Sequence, residues 1–95
     1  MPKQNQDFEQ TLNLLKLLAE ENRLKILYIL KGGEHCVCEI IERFGLPQNL
    51  VSHHLSKLKE AELIQGRKDG VWVHYSLTDK GRKVADIIFL FSNKE

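Results

Sequence analysis

Residues 36–61, CVCEIIERFGLPQNLVSHHLSKLKEA, leave this chain little conformational choice. Two amphipathic segments are separated only by Gly45-Leu46-Pro47. In the first, Val37, Ile40, Ile41 and Phe44 recur at i, i+3, i+4 and i+7, one face of a helix. In the second, Leu50, Val51, Leu55, Leu58 and Ala61 gather on one side by the same periodicity. Gly45 supplies a residue free to take the left-handed conformation that ends a helix. Pro47 sits just inside the next helix, where its missing N–H is harmless. The spacing predicts helices over Cys36–Phe44 and Gln48–Ala61, locked at a steep angle by a connection that short.

The second of these helices has a polar face of unusual composition. Asn49, Ser52, His53 and Ser56 fall at i, i+3, i+4 and i+7, a single stripe of short donors and acceptors, with Lys57 alongside. Short polar side chains approach base edges in a DNA major groove, where Asn or Gln pairs bidentately with adenine and Ser serves either role. An isolated helix with this face would be read as merely solvated. The tight turn and the preceding support helix make it a recognition helix instead.

The rest of the chain supplies a frame for that pair. Residues 1–6 offer nothing to a core and are expected to be a mobile tail. Phe8 to Ala19 is predicted helical, with apolar residues around more than half its circumference, so it needs two surfaces to pack on. Asn22 is the expected cap of a second helix over Arg23–Lys31, stopped by Gly32-Gly33. Leu63–Arg67 and Val71–Leu77, joined by Lys68-Asp69-Gly70, read as a β-hairpin. This hairpin is a wing, with Arg67 and Lys68 placed to touch phosphate. Thr78-Asp79 opens a last helix over Gly81–Phe91, whose run of large apolar residues exceeds what one surface face needs and points to a subunit interface with the first helix. The expected fold is mainly α with a small β-hairpin, a winged helix-turn-helix of order α-α-α-α-β-β-α, dimeric, with its domain over residues 7–95.

Ninety-five residues make one domain of limited core, which favours a partner chain. Residues 1–42 carry five Lys/Arg against seven Asp/Glu, and residues 43–83 carry eight against four. The positive charge is concentrated around the recognition helix and wing, compatible with phosphate contact. Nothing resembles a membrane span or a signal peptide, so a soluble cytoplasmic protein is expected. The two cysteines, one residue apart, would close too small a loop to serve as a structural disulfide, and are expected as thiols in a reducing compartment.

With LLAEENRLKILYIL, CVCEI, VSHHLSKLKEAELI and GRKDGVWVHYSL in this order, the chain resembles the ArsR/SmtB family of metal-responsive winged-helix repressors over about residues 12–85. The resemblance implies a homodimer, joined through its first and last helices, on a palindromic operator of double-stranded DNA. The base-facing set would be Gln48, Asn49, Ser52, His53 and Ser56. His54 lies beside the apolar stripe and is read as a packed residue. Glu62 departs from the pattern, since members usually have Gly after that Ala.

In the family, the Cys-Val-Cys element is associated with arsenite or antimonite, and with cadmium or lead. Two thiolates are soft donors, which agrees with that ligand class. Members with this element recruit further cysteines, whereas here Ile41 stands where arsenite sensors carry a third and residues 1–30 contain none. His35 is the nearest extra donor to Cys36 and Cys38. On a regular helix residues i and i+2 point about 200° apart, so joint chelation is expected to distort the start of the third helix. The alternative is a redox or sulfur sensor using the same two thiols. A thiol-disulfide enzyme is disfavoured, because the usual motif has two intervening residues and follows a strand, and no strand is predicted before Cys36. A winged helix that binds only protein is disfavoured by the polar stripe and the local positive charge.

Overall fold

The computed structural model describes residues 2–92, with side chains described for 6–90 and 92. Five helices and three short strands follow in the order α1 (Pro2–Leu18), α2 (Glu21–Lys31), β1 (His35–Cys36), α3 (Val37–Phe44), α4 (Gln48–Glu60), β2 (Ile64–Asp69), β3 (Trp72–Leu77) and α5 (Asp79–Ile88), ending in a 3₁₀ turn, Leu90–Ser92. Helix α1 starts at Pro2, so residues 2–6, expected as a tail, are helical backbone; Met1 and the Phe91 side chain lie outside the described residues.

The core is assembled from the faces that periodicity marked. Ile26, Leu27 and Leu30 of α2, Ile40 of α3, Val51, Leu55 and Leu58 of α4, and Leu63 and Ile64 beyond it are buried together. Each such side chain contributes about 1.5–3 kcal/mol relative to exposure. Leu50, expected on this packed side, is 38 % exposed. It lies in the first turn of α4 about 100° around the helix from Val51, which takes the core-facing place there.

Caps settle the helix ends. Glu20, not Asn22, caps α2: its backbone is extended and its carboxylate accepts the Arg23 N–H at 2.9 Å. Gly45 closes α3 in the left-handed conformation (φ 63°) and Pro47 stands at the cap of α4. At the far end of α4 the Leu63 N–H bonds the Leu58 carbonyl at 3.0 Å and the Glu62 N–H bonds the Lys59 carbonyl at 2.9 Å. This is a Schellman closure, with Leu58 and Leu63 making its apolar contact in the core. It forces Glu62 to φ 62°, the left-handed region that glycine occupies without strain.

Strand β1 was not expected. Two residues carry no readable period, and His35-Cys36 are extended only because they pair antiparallel with β3, His35 opposite Tyr75 and Cys36 opposite His74. The sheet order is therefore β1-β3-β2, a hairpin with an added edge. Within the hairpin, pairing continues to Asp69 opposite Trp72, which leaves a two-residue loop of Gly70-Val71 rather than Lys68-Asp69-Gly70. Gly70 has φ 66° and Val71 does not share the left-handed region, as a type II′ turn requires.

Candidate nucleic-acid interface and dithiol

Helix α4 sorts its side chains as a reading helix would. Val51, His54, Leu55 and Leu58 are buried, whereas Gln48, Asn49, Ser52, His53, Ser56 and Lys57 are all exposed. His54, although polar, is held inside by Arg23, whose Nη1 lies 3.3 Å from His54 Nδ1 and whose Nε donates to the Leu17 carbonyl at 2.6 Å. A guanidinium only donates, so Nδ1 accepts and the imidazole proton resides on Nε2. Burial pushes the His54 pKa down, against the pull of the Glu20 carboxylate 3.7 Å away. For Glu20, desolvation works upward but is outweighed by the Arg23 and Asn22 N–H groups and by the positive charges of Arg23 and of His54 when protonated, leaving its pKa below the ordinary carboxylate value. The Arg23, Glu20 and His54 cluster ties the recognition helix to the start of α2. Nothing local marks Arg23 for this role, since its partner lies 31 positions away.

The wing residues divide. Lys68 is exposed, but Arg67 is forked onto Glu34, Nε to Oε2 at 3.1 Å and Nη2 to Oε1 at 2.8 Å. That bond holds the Glu34 carboxyl below its usual range and raises Arg67. Glu34 had no role in the sequence reading, because nothing local marks a carboxylate whose partner sits 33 positions on.

The cysteines are placed differently from the sequence expectation. Cys36 is extended (φ −67°, ψ 144°), the cap of α3 rather than its first residue. Helical geometry no longer separates the two side chains, and the structure joins Cys36 and Cys38 sulfur to sulfur with Cα atoms 5.2 Å apart. That separation lies in the range a disulfide spans. The expectation of a helix that must unwind before both sulfurs come together is corrected by the β1 pairing that keeps Cys36 out of the helix. Cys36 also completes a capping box: its sulfur accepts the Cys38 N–H at 3.3 Å and Glu39 Oε1 accepts the Cys36 N–H at 2.8 Å. The Cys-x-x-Glu spacing, a variant of the Ser/Thr-x-x-Glu signature, was the available signal for Glu39.

His35 is not brought to the pair. Successive residues of a strand point to opposite faces, and His35 Nδ1 lies 2.9 Å from the Gly33 carbonyl oxygen. Among the described residues no group of three His, Cys, Asp or Glu side chains converges as a metal cage. The strand register instead sets Cys36, His74 and Arg67 in one row across β1, β3 and β2, with His74 Nε2 3.7 Å from Asp69 at the wing tip. Among the described residues no helix is long and apolar enough to cross a membrane.

Residues 20–65, which run from the cap of α2 to the second residue of β2, match the family model for bacterial regulatory proteins of the arsR family. An HTH-type transcriptional regulator of Methanocaldococcus jannaschii is 38 % identical over 87 % of this chain and 92 % of its own length. The chain belongs to the ArsR family. ArsR-family membership makes it a DNA-binding transcriptional regulator rather than an enzyme, and gives the exposed stripe of α4 its context. The arsenical resistance operon repressor of Escherichia coli is 43 % identical over 70 % of this chain, which spans 58 % of that repressor's length. Among solved structures, reduced HlyU from Vibrio cholerae superposes with a TM-score of 0.86 at 27 % identity, over 99 % of this chain and 100 % of that one. The winged-helix architecture of the ArsR family is thus matched from end to end.

Proposed function

We propose that this ArsR-type protein is a homodimeric repressor that sits on a palindromic operator and is released by chemistry at Cys36 and Cys38. The observation that carries this reading is the meeting of the two sulfurs at the junction of β1 and α3, between the wing sheet and the helix supporting α4. The exposed set of Gln48, Asn49, Ser52, His53, Ser56 and Lys57 reads the groove, and Lys68 and Arg67 meet phosphate beside it. Phe8 and Leu15 on α1, with Ile87 and Leu90 at the chain's end, are more than half exposed and supply the apolar dimer surface.

The inducer in this reading is a thiophilic metalloid, arsenite or antimonite first and cadmium or lead next. Two vicinal thiols displace two hydroxides from trivalent arsenic as water, leaving an As–OH held by two thiolates. This needs no third protein donor, and it agrees with the name of the Escherichia coli relative. A second reading is favoured by the joined sulfurs: a peroxide-class oxidant takes two electrons and two protons from the thiols, forms the disulfide and leaves as water. Both readings place the resting dithiol in a reducing cytoplasm.

The test is the affinity of the reduced protein for DNA upstream of its own gene, titrated with arsenite, antimonite, cadmium, lead and hydrogen peroxide, for the native chain and Cys36→Ser/Cys38→Ser. Release by one agent, abolished in the double variant, identifies the inducer. Tight binding insensitive to all of them removes the sensor, and absence of duplex binding removes the repressor.

A further inference from the structure

Arg67 held by Glu34 is a poorer partner for a phosphate, because its charge is neutralised and its Nε/Nη2 edge is taken. Its two contacts to Glu34, 3.1 and 2.8 Å, use one of the two coplanar donor forks that can grip two phosphate oxygens. Glu34 therefore matches DNA at this position in charge and in geometry. Both side chains are partly solvent-accessible, so the pair is screened and exchangeable rather than a fixed strut.

Its location gives the exchange a second meaning. Glu34 leads directly into β1, whose residues His35 and Cys36 are fixed by pairing with Tyr75 and His74. Arg67 lies in register with His74 from the other side of β3, so its side chain crosses the middle strand to reach the approach to β1. The residue two positions after Glu34 is Cys36, joined to Cys38. A bond made or broken at Cys36 acts on a two-residue strand with a single neighbour, and the first charged group upstream is the one holding Arg67.

We infer that Glu34 is an intramolecular stand-in for DNA phosphate: it occupies Arg67 in the free protein, lowers operator affinity by competition, and carries the state of the Cys36–Cys38 pair to the wing. The competition rests on Arg67 contacting phosphate, and the last clause rests on the dithiol reading above. In the joined state β1 keeps Glu34 on Arg67; in the dithiol state the strand loosens and Arg67 is surrendered to DNA.

The experiment is a double-mutant cycle on the full chain. A fluorescein-labelled duplex of the DNA upstream of its own gene is titrated at several salt concentrations with wild type, Glu34→Gln, Arg67→Gln and the double variant, each reduced and oxidised. In the reduced set Arg67→Gln is expected to lose about tenfold in affinity and about one unit of salt slope. Glu34→Gln gains about threefold, in keeping with release of an exposed ion pair, and the double variant matches Arg67→Gln. An equal gain in both backgrounds reduces Glu34 to a general field effect and overturns the competition, as does no gain at all. Arg67→Gln without loss overturns it too, while leaving the dithiol function standing if oxidation still releases wild type. In the oxidised set Glu34→Gln recovers about threefold more affinity than in the reduced set; an equal effect in both states, or oxidation without effect on wild type, overturns the link to the dithiol and leaves the competition decided by the reduced cycle.

Discussion

Gly81 lies against the backbone of Leu63 so closely that a β-carbon at position 81 would come within 2.8 Å of the Leu63 carbonyl carbon. This contact joins the start of α5 to the exit of α4. Around it Thr78 donates its hydroxyl to the Glu62 carbonyl at 2.6 Å, accepts the Gly81 N–H at 2.9 Å, and sends its own N–H to the Leu63 carbonyl at 3.0 Å. Because backbone meets backbone, no side-chain adjustment relieves an added methyl group. Gly81→Ala is expected to cost about 2–3 kcal/mol of unfolding free energy. Urea denaturation monitored by Trp72 fluorescence would show it, and a midpoint unchanged from wild type would mean the contact opens freely.

Glu62 presents the opposite case. Its φ of 62° is imposed by the Schellman closure, and an L-residue there is strained by about 1–2 kcal/mol. Glu62→Gly removes that strain but adds freedom to the unfolded chain, so a net gain of about 0.5–1 kcal/mol is expected. Glu62→Val should lose stability by at least as much. A destabilised glycine variant would refute the account of the helix exit.

His54 makes stability depend on pH. Its folded pKa lies below the ordinary imidazole value of 6.5, burial being the main cause. The unfolded chain therefore binds the proton first. The contribution of neutral His54 is complete above about 6.5 and is lost as pH falls below that toward the folded value. Unfolding midpoints measured from pH 7.5 downward should decline more steeply for wild type than for His54→Gln. Parallel curves would show that Arg23 does not require an unprotonated His54.

On α4 the exposed residues separate into readers and anchors. Asn49→Ala is expected to cost about 1–3 kcal/mol on the specific duplex and little on random DNA. Lys57→Gln should weaken both duplexes alike and lower the salt slope by about one. Equal losses for Asn49→Ala on both duplexes would place that residue on the phosphates instead.

The two thiols of the reduced protein should differ in reactivity, since Cys36 is 7 % exposed and Cys38 lies on the surface. Alkylation followed by peptide mapping is expected to find Cys38 modified first. Faster labelling of Cys36 would show that the capping box opens readily in the dithiol state.

Much of the architecture is decided by short-range chemistry. The periodicity of Val37 to Phe44 and of Val51 to Leu58, the stop at Gly45, the cap at Thr78 and the turn at Gly70 each act within a few residues, and each is found where the sequence places an element of that kind. The same periodicity divides α4 into a buried and an exposed face, so the candidate reading stripe is fixed by sequence alone. Tertiary structure decided the rest. His35-Cys36 becomes a strand only through pairing with β3, and that pairing takes Cys36 out of the helix, brings its sulfur to Cys38 and turns His35 away. Arg67 finds Glu34, and Arg23 finds His54, across separations of 33 and 31 positions. No local propensity encodes such partners, because the energy that selects them exists only once the chain has closed the loops between them.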